Sequence, residues 1–143
     1  MGNLNLDLIS ITPLKQFFNS NGDVFHAIKM SDEGFDAFGE SYFSFINYNC
    51  IKGWKKHTKM TMNLVVPIGE VYFVFYNENL QKFQDITIGI NNYSRLTIFP
   101  GIWFAFKGLS KTPSMIVNFS NIEHNDLEVE KKLLNDIKYN WVI

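Results

Sequence analysis

The run "MNLVVPIGEVYFVFYN", residues 62–77, decides the fold class of this chain. It contains two apolar stretches rich in Val, Ile, Phe and Tyr, residue types that favour β-strands, with Gly69 between them. A glycine between two such stretches predicts a turn or a bulge. Residues 62–68 and 69–77 are therefore predicted to form two successive strands.

Similar short runs lie on both sides of this pair, and turn-forming dipeptides such as Pro100-Gly101 separate them. About eight short strands with few helices are typical of an all-β jelly roll or small β-barrel, whose interior can hold a small ligand. The additional predicted strands are residues 24–30, 41–48, 83–90, 95–99, 102–108 and 114–120.

One convincing helix is predicted near the C-terminus, at "NDLEVEKKLLND", residues 125–136. Asn125 can cap its first turn, and Glu128 three residues later completes a capping-box-like pair. A second, shorter helix is predicted near residues 13–19.

The composition restricts the class of protein. The 143 residues suggest a single domain, residues 1–143, and the net charge of −1 gives no basic surface for nucleic acid. The sequence shows no signal peptide and no apolar run near the roughly 18 residues of a membrane helix. A lone cysteine, Cys50, excludes an internal disulfide and is interpreted as a small buried hydrophobe. We expect a cytoplasmic protein that binds neither nucleic acid nor membrane.

The stretch "KGWKKHTK", residues 52–59, raises the question of a metal site. Some small β-barrels, the cupins, hold a metal through a His-x-His pair, a carboxylate and a later His. The corresponding positions here are occupied by Lys55, His57, Met62 and Phe104. A protonated lysine is a poor ligand, so no metal is expected.

The same stretch can instead bind an anion. On a regular strand Lys55 and His57 share a face, and Lys52 joins them only if a bulge at Gly53 shifts the phase. Cations at the mouth of a barrel attract a pyrophosphate, and a desolvated lysine or a histidine can act as a base. The alternative is a solvated strand edge with Trp54 packed inward. We favour a His57 that faces the pocket.

Four stretches together resemble the short branch of the dTDP-4-dehydrorhamnose 3,5-epimerase family. They are "FGESYFSFINYNCIKGWKKHTKMTMNLVVPIGEVYFVFYN" (38–77), "NNYSRLTIFPGIWFAFKGLS" (91–110), "NIEHND" (121–126) and "IKYNW" (137–141). The resemblance implies a cupin-type jelly roll, a homodimer with strand exchange, no metal or other cofactor, and a nucleotide-activated 4-keto sugar as substrate. It also implies a role in the synthesis of surface polysaccharide such as O-antigen or capsule.

The family's chemistry uses a His base held by an Asp, a Tyr that delivers a proton to the opposite face, and cations that stabilise the enolate. By the resemblance, the family's catalytic His falls on Lys55, its later His on Phe104 and its Tyr on Val117. The arginine that begins the family's His motif falls on Lys52, which can still bind phosphate without a bidentate fork.

These departures leave the base and the acid open. The predicted catalytic residues are Lys55, His57 and Tyr42. The predicted substrate-binding residues are Lys52, Glu40, His26, Asn63 and Asn118. One alternative is a cupin that binds a sugar nucleotide without turning it over, and another is an oligomeric β-domain with a purely structural role.

Overall fold

A computed structural model describes residues 8–142 of the chain, and within them the backbone forms twelve strands. They are β1 (Ile9–Pro13), β2 (Gln16–Phe17), β3 (Val24–Phe25), β4 (Glu40–Ile46), β5 (Ile51–His57), β6 (Met62–Ile68), β7 (Glu70–Asn77), β8 (Lys82–Gly89), β9 (Ser94–Ile98), β10 (Trp103–Gly108), β11 (Ser114–Ser120) and β12 (Val129–Lys131).

Ten of these strands form two five-stranded sheets, in which the registered strand pairs are antiparallel. One sheet has the order β1-β9-β6-β11-β4 and the other the order β12-β5-β10-β7-β8, while β2 and β3 form a small separate ribbon. Successive strands in the chain often lie in different sheets, as β4, β5 and β6 do. The all-β class is therefore confirmed, and the two sheets enclose an interior between them.

The glycine between β6 and β7 has the role expected from the sequence. Gly69 has a φ of 85°, and a Cβ at this position would lie 2.1 Å from Ser114 Oγ. Only glycine fits this conformation and this close approach, so the chain can leave one sheet and enter the other here.

The main core fills the space between the sheets. Phe73 and Phe75 of β7 pack there with Leu96 and Ile98 of β9 and with apolar side chains of β6. A second apolar cluster covers the outer face of the sheet that contains β5, β10 and β7. There Trp54 is completely buried beneath the segment that follows β12. Because both faces of β7 are covered, its sequence is continuously apolar rather than alternating.

The predicted C-terminal helix is wrong. Residues 125–136 form two three-residue 3₁₀ turns, Asp126–Glu128 and Leu134–Asp136, separated by strand β12. Asn125 does cap the first turn, because its side chain accepts a hydrogen bond from Leu127 N. The segment becomes extended after that turn because pairing of β12 with β5 satisfies its backbone groups.

Three smaller predictions also need correction. Residues 13–19 are not a helix but include the end of β1 and strand β2, and only Val24–Phe25 of the predicted strand 24–30 is a strand. Cys50 is exposed rather than buried.

No helix among residues 8–142 has the length and hydropathy that a membrane span requires.

Candidate functional site

A cavity of about 240 Å³ opens between the two sheets and combines an apolar wall with a polar rim. Its polar and charged lining residues come from β4, β5, β11, β12 and the loop before β12. They are Glu40, Tyr42, Ser44, Lys52, Lys55, His57, Asn118, His124 and Lys131. The apolar wall consists mainly of Met60, Met62, Leu64, Phe104, Phe106, Ile116 and Val129.

An irregularity in β5 directs three of its basic side chains toward this cavity. Opposite β10, Lys55 pairs with Phe104 and Lys52 pairs with Phe106, so three steps along β5 match two steps along β10. The extra residue shifts the side-chain phase of β5. Lys52, Lys55 and His57 all line the cavity as a result. This is the bulge near Gly53 on which the position of Lys52 depended.

His57 is paired with a carboxylate that the sequence did not reveal. Its Nδ1 is hydrogen-bonded to Glu128 Oε2, and the two side chains are 10% and 2% exposed. The imidazole also stacks on Phe104, with ring centroids 6.1 Å apart. When Nδ1 donates to Glu128, Nε2 is the ring nitrogen that can accept a proton.

Glu128 is held in its ionised form by several hydrogen bonds. Its Oε1 accepts from the backbone N–H groups of Lys59, at 3.0 Å, and Met60, at 2.9 Å. Burial by itself would raise the pKa of Glu128, but the hydrogen bonds from His57 and these two amides outweigh it and lower the pKa. A fixed, buried carboxylate therefore holds the orientation of the His57 ring.

Lys55 and Lys131 lie directly opposite each other in the pairing of β5 with β12, and both line the cavity. Partial burial lowers the pKa of Lys55, and the charges of Lys131 and Lys52 lower it further. Lys52 Nζ donates to the carbonyl of Phe45 at 2.7 Å. The cavity thus has a positively charged rim on the side of β5.

The opposite wall carries groups that can hold the hydroxyls of a ligand. Asn118 on β11 is 3% exposed, and its Oδ1 has no hydrogen-bond partner among the described residues. Tyr42 is its neighbour on β4, half-exposed at the cavity rim. Glu40 is on the same face, and its carboxylate accepts from the backbone N–H of His124. A buried amide oxygen without a partner is costly, which favours a ligand donor at this position.

The structure brings six of the eight predicted site residues to one cavity, and the other two lie elsewhere. Asn63 is buried on the other face of its sheet, where its side chain is bonded to Gly34 O, Arg95 Nε and Thr97 Oγ1. His26 lines a separate cavity, beside Arg95. Neither residue lines the cavity that contains His57.

The two positions at which the resemblance implies a further His and a Tyr differ in their placement. Phe104, where the resemblance implies a His, lines the cavity. Val117 alternates with the cavity residues Ile116 and Asn118 and pairs with Phe43, which is 67% exposed. A tyrosine at 117 would therefore project from the opposite face of the sheet.

Sequence reasoning missed the contributions of β12 and of the turn before it. The sequence pattern predicts a helix over Glu128, Val129 and Lys131, with Glu128 as the partner of Asn125 in a capping-box-like pair. The signal that could have identified Glu128 is the resemblance itself, since the family's His base needs a carboxylate partner. Among residues 8–142, no group of three or more His, Cys, Asp or Glu side chains is arranged to hold a metal ion.

Comparison with known proteins finds similar folds among solved structures. No family model matches the chain, and no curated protein gives a significant match. Among solved structures, a dTDP sugar isomerase from Desulfovibrio desulfuricans G20 is 29% identical, with a TM-score of 0.88 over 93% of this chain and 90% of that chain.

Two more distant structures share the fold. The sugar 3,4-ketoisomerase QdtA from Thermoanaerobacterium thermosaccharolyticum, in complex with TDP, is 15% identical, with a TM-score of 0.75 over 89% of this chain and 90% of that chain. A dTDP-4-dehydrorhamnose 3,5-epimerase from Sulfolobus tokodaii is 17% identical, with a TM-score of 0.79 over 92% of this chain and 80% of that chain. These neighbours confirm the cupin-type jelly roll and the resemblance to the epimerase family.

Proposed function

We propose that the cavity binds a nucleoside diphosphate 4-keto sugar and removes a proton from a carbon next to the ketone, without a metal, as an epimerase or isomerase. The neighbours support a function like that of nucleotide-sugar epimerases and isomerases, since they are described as enzymes of this kind. The observation that carries the proposal is the His57–Glu128 pair at the cavity wall. An oriented imidazole beside a buried carboxylate is a suitable general base.

The residues have separate roles in this proposal. His57 Nε2 takes the proton, and Glu128 stabilises the imidazolium that forms. Tyr42, on the other sheet, returns a proton from the opposite side of the cavity. Lys52 and Lys55 bind the diphosphate or the enolate oxygen, and the same positive charge stabilises the developing anion. Lys55 is the alternative base if substitution of His57 leaves the solvent exchange unchanged.

The sugar is held by the wall formed by β4 and β11. Asn118 Oδ1 accepts from a sugar hydroxyl and thereby gains the hydrogen bond that it lacks among the described residues. Glu40 accepts from a second hydroxyl at the rim. These contacts orient the ring so that one C–H bond faces His57.

The direct test is solvent exchange. The protein is incubated in heavy water with dTDP-4-keto-6-deoxyglucose, and deuterium at C3 or C5 is measured by NMR and mass spectrometry. His57→Gln should abolish the exchange, whereas His26→Gln, a matched histidine outside this cavity, should retain it. Absence of exchange with several nucleoside diphosphate 4-keto sugars would remove the catalytic proposal.

A second candidate function is a sugar-nucleotide-binding protein without turnover. It is favoured by Phe104, which replaces an imidazole at the cavity wall, and by Val117, which faces away from it. This function predicts a thermal shift with the nucleotide sugar, no solvent exchange, and loss of the shift in Asn118→Leu.

The assembly and the pathway are also proposals. A homodimer is supported by the exposed apolar side chains Phe43 and Phe45 on edge strand β4. Sedimentation analysis of the purified protein tests it, and a monomer at micromolar concentration would contradict it. A role in surface polysaccharide synthesis in the cytoplasm predicts that genes for a sugar-nucleotide dehydratase and an aminotransferase or reductase lie nearby.

A further inference from the structure

The lysine cluster of the cavity is not neutralised by the protein. Lys52, Lys55 and Lys131 line one side, and among residues 8–142 no carboxylate lies within ion-pair distance of any of them. Lys56 provides the contrast. It bonds to Glu78 at 2.9 Å and approaches Glu130 at 3.4 Å.

Lys55 and Lys131 face each other across the β5–β12 ladder, an arrangement that destabilises a sheet when the charges are alike. Removing the proton from one of the two amines relieves this repulsion. Lys55 is the better candidate, because it lies opposite Phe104 of β10 at the cavity rim and has two other cations, Lys131 and Lys52, as neighbours. Its pKa is lowered by desolvation and by Lys131 and Lys52, whereas the hydrogen bond that Lys56 donates to Glu78 raises the pKa of Lys56.

A lysine beside other cations loses its proton more readily, and the neutral amine is a nucleophile. Desolvation and neighbouring cations are the two means by which proteins activate a lysine toward carbonyl groups. The proposed ligand carries a ketone, and Lys55 lines the same cavity as His57, two residues further along the same strand. The amine and the base therefore reach one chamber.

We propose that Lys55 Nζ forms a covalent imine with the ketone of the bound sugar, so that the amine rather than an oxyanion site activates the adjacent C–H bond. This inference rests on the proposed function, since it assumes a keto sugar in the cavity. It assigns the binding of the diphosphate to Lys52, so that Lys131, opposite Lys55 on β12, keeps its charge next to the amine.

The steps balance without any further reagent. The neutral amine adds to the carbonyl carbon, and the carbinolamine takes up one proton from solvent and loses one water to give a protonated imine. His57 Nε2 removes a proton from the neighbouring carbon, and the C–H electron pair forms the enamine double bond. Protonation at carbon by Tyr42 restores the protonated imine with changed configuration, and one water then hydrolyses it to the product ketone, the neutral Lys55 amine and one proton. His57 releases its proton to solvent and Tyr42 regains one from solvent.

Reductive trapping tests the inference directly. The protein is mixed with dTDP-4-keto-6-deoxyglucose and sodium cyanoborohydride, and intact mass and peptide mass are measured. We expect one adduct per chain, at Lys55, with the mass of the ligand less one oxygen atom. Lys55→Arg keeps the charge and should lose the adduct, whereas Lys111→Arg, at an exposed lysine outside the cavity, should keep it.

Parallel measurement of solvent exchange separates this inference from the proposed function. An adduct at Lys55 together with exchange supports the inference, whereas an adduct without exchange overturns the role of the imine in activating the C–H bond. Exchange without an adduct, retained in Lys55→Arg, overturns the imine and leaves the proposed function intact. Neither exchange nor adduct overturns both.

The pH dependence of adduct formation distinguishes a reactive Lys55 from a merely structural one. The other ionisable groups that line the cavity are Glu40, Tyr42, Lys52, His57, His124 and Lys131. Lys131→Gln removes one of the two neighbouring charges that make Lys55 easier to deprotonate. The midpoint of trapping should therefore move to higher pH in Lys131→Gln. A midpoint unchanged from the wild type would overturn the inference that this pair activates Lys55.

Discussion

His57 on β5 is hydrogen-bonded through Nδ1 to Glu128, a residue 71 positions later in the chain. The contact joins the central part of the sequence to the turn before β12, and both side chains are buried. It fixes which imidazole nitrogen remains available to a ligand.

The first prediction concerns Glu128→Gln. The carboxylate accepts from two backbone amides through Oε1 and from His57 through Oε2. If the amide oxygen of Gln keeps the two backbone bonds, its NH₂ group faces His57 Nδ1 and favours the tautomer that is protonated on Nε2. Solvent exchange should fall about a hundredfold. Asp126→Asn, at an exposed carboxylate of the same turn, should have little effect; an unimpaired Glu128→Gln would exclude this role for the pair.

The second prediction concerns stability in acid. Glu128 has a lowered pKa in the folded protein, so its contribution to stability is present above the ordinary value of 4.5 and declines as the pH falls toward the folded value. The difference in free energy of unfolding between wild type and Glu128→Gln should be largest near neutral pH and shrink below pH 4.5. Urea unfolding at several pH values measures it. A difference that grows in acid would contradict the prediction.

The third prediction concerns Asn118→Leu. The substitution removes a buried Oδ1 that has no partner among the described residues, so the ligand-free protein should be equally stable or more stable. Affinity for the nucleotide sugar should fall about tenfold, equivalent to about 1.4 kcal/mol. Calorimetric titration and thermal unfolding together check it. Undiminished affinity would place the sugar away from Asn118.

The fourth prediction concerns Arg95→Met. Arg95 is completely buried, and it bonds to Asn63, to the side chain of Asp32 and to two backbone carbonyls of the loop before β4. Loss of this charge removes one donor from each of these acceptors and leaves Asp32 without its cationic partner, which should cost about 3 kcal/mol of stability. Denaturant unfolding measures the loss, with Lys111→Met as the control. A change below 1 kcal/mol, roughly the worth of a single exposed ion pair, would show that the network is not stabilising.

The strands of this fold were predictable because their signals are local. The boundaries of β6 and β11 were predicted correctly, since each is an apolar run between a turn and a polar segment. Gly69 identified the junction of β6 with β7. The side-chain period of β5 was not predictable, because its extra residue is defined only by the register against β10.

The site was predictable only in part. Lys55 and His57 could be inferred from alternation on one strand, and Asn118 from a polar residue in an apolar run. Glu128 could not, because its local pattern is also that of a helix cap, and only the pairing of β12 with β5 turns it toward His57. Long-range pairing of this kind leaves no mark in a short window of sequence.

The position of Trp54 has an optical consequence. Its indole is completely buried on the outer face of β5, where Nε1 donates to the carbonyl of Leu134 at 3.1 Å, with the ring of Trp141 5.9 Å away. Lifting the segment after β12 would bring water to this indole and shift its fluorescence to longer wavelength. The strand that presents Lys55 to the cavity thus carries an intrinsic fluorescent probe on its other side. This probe reports whether the segment after β12 covers β5.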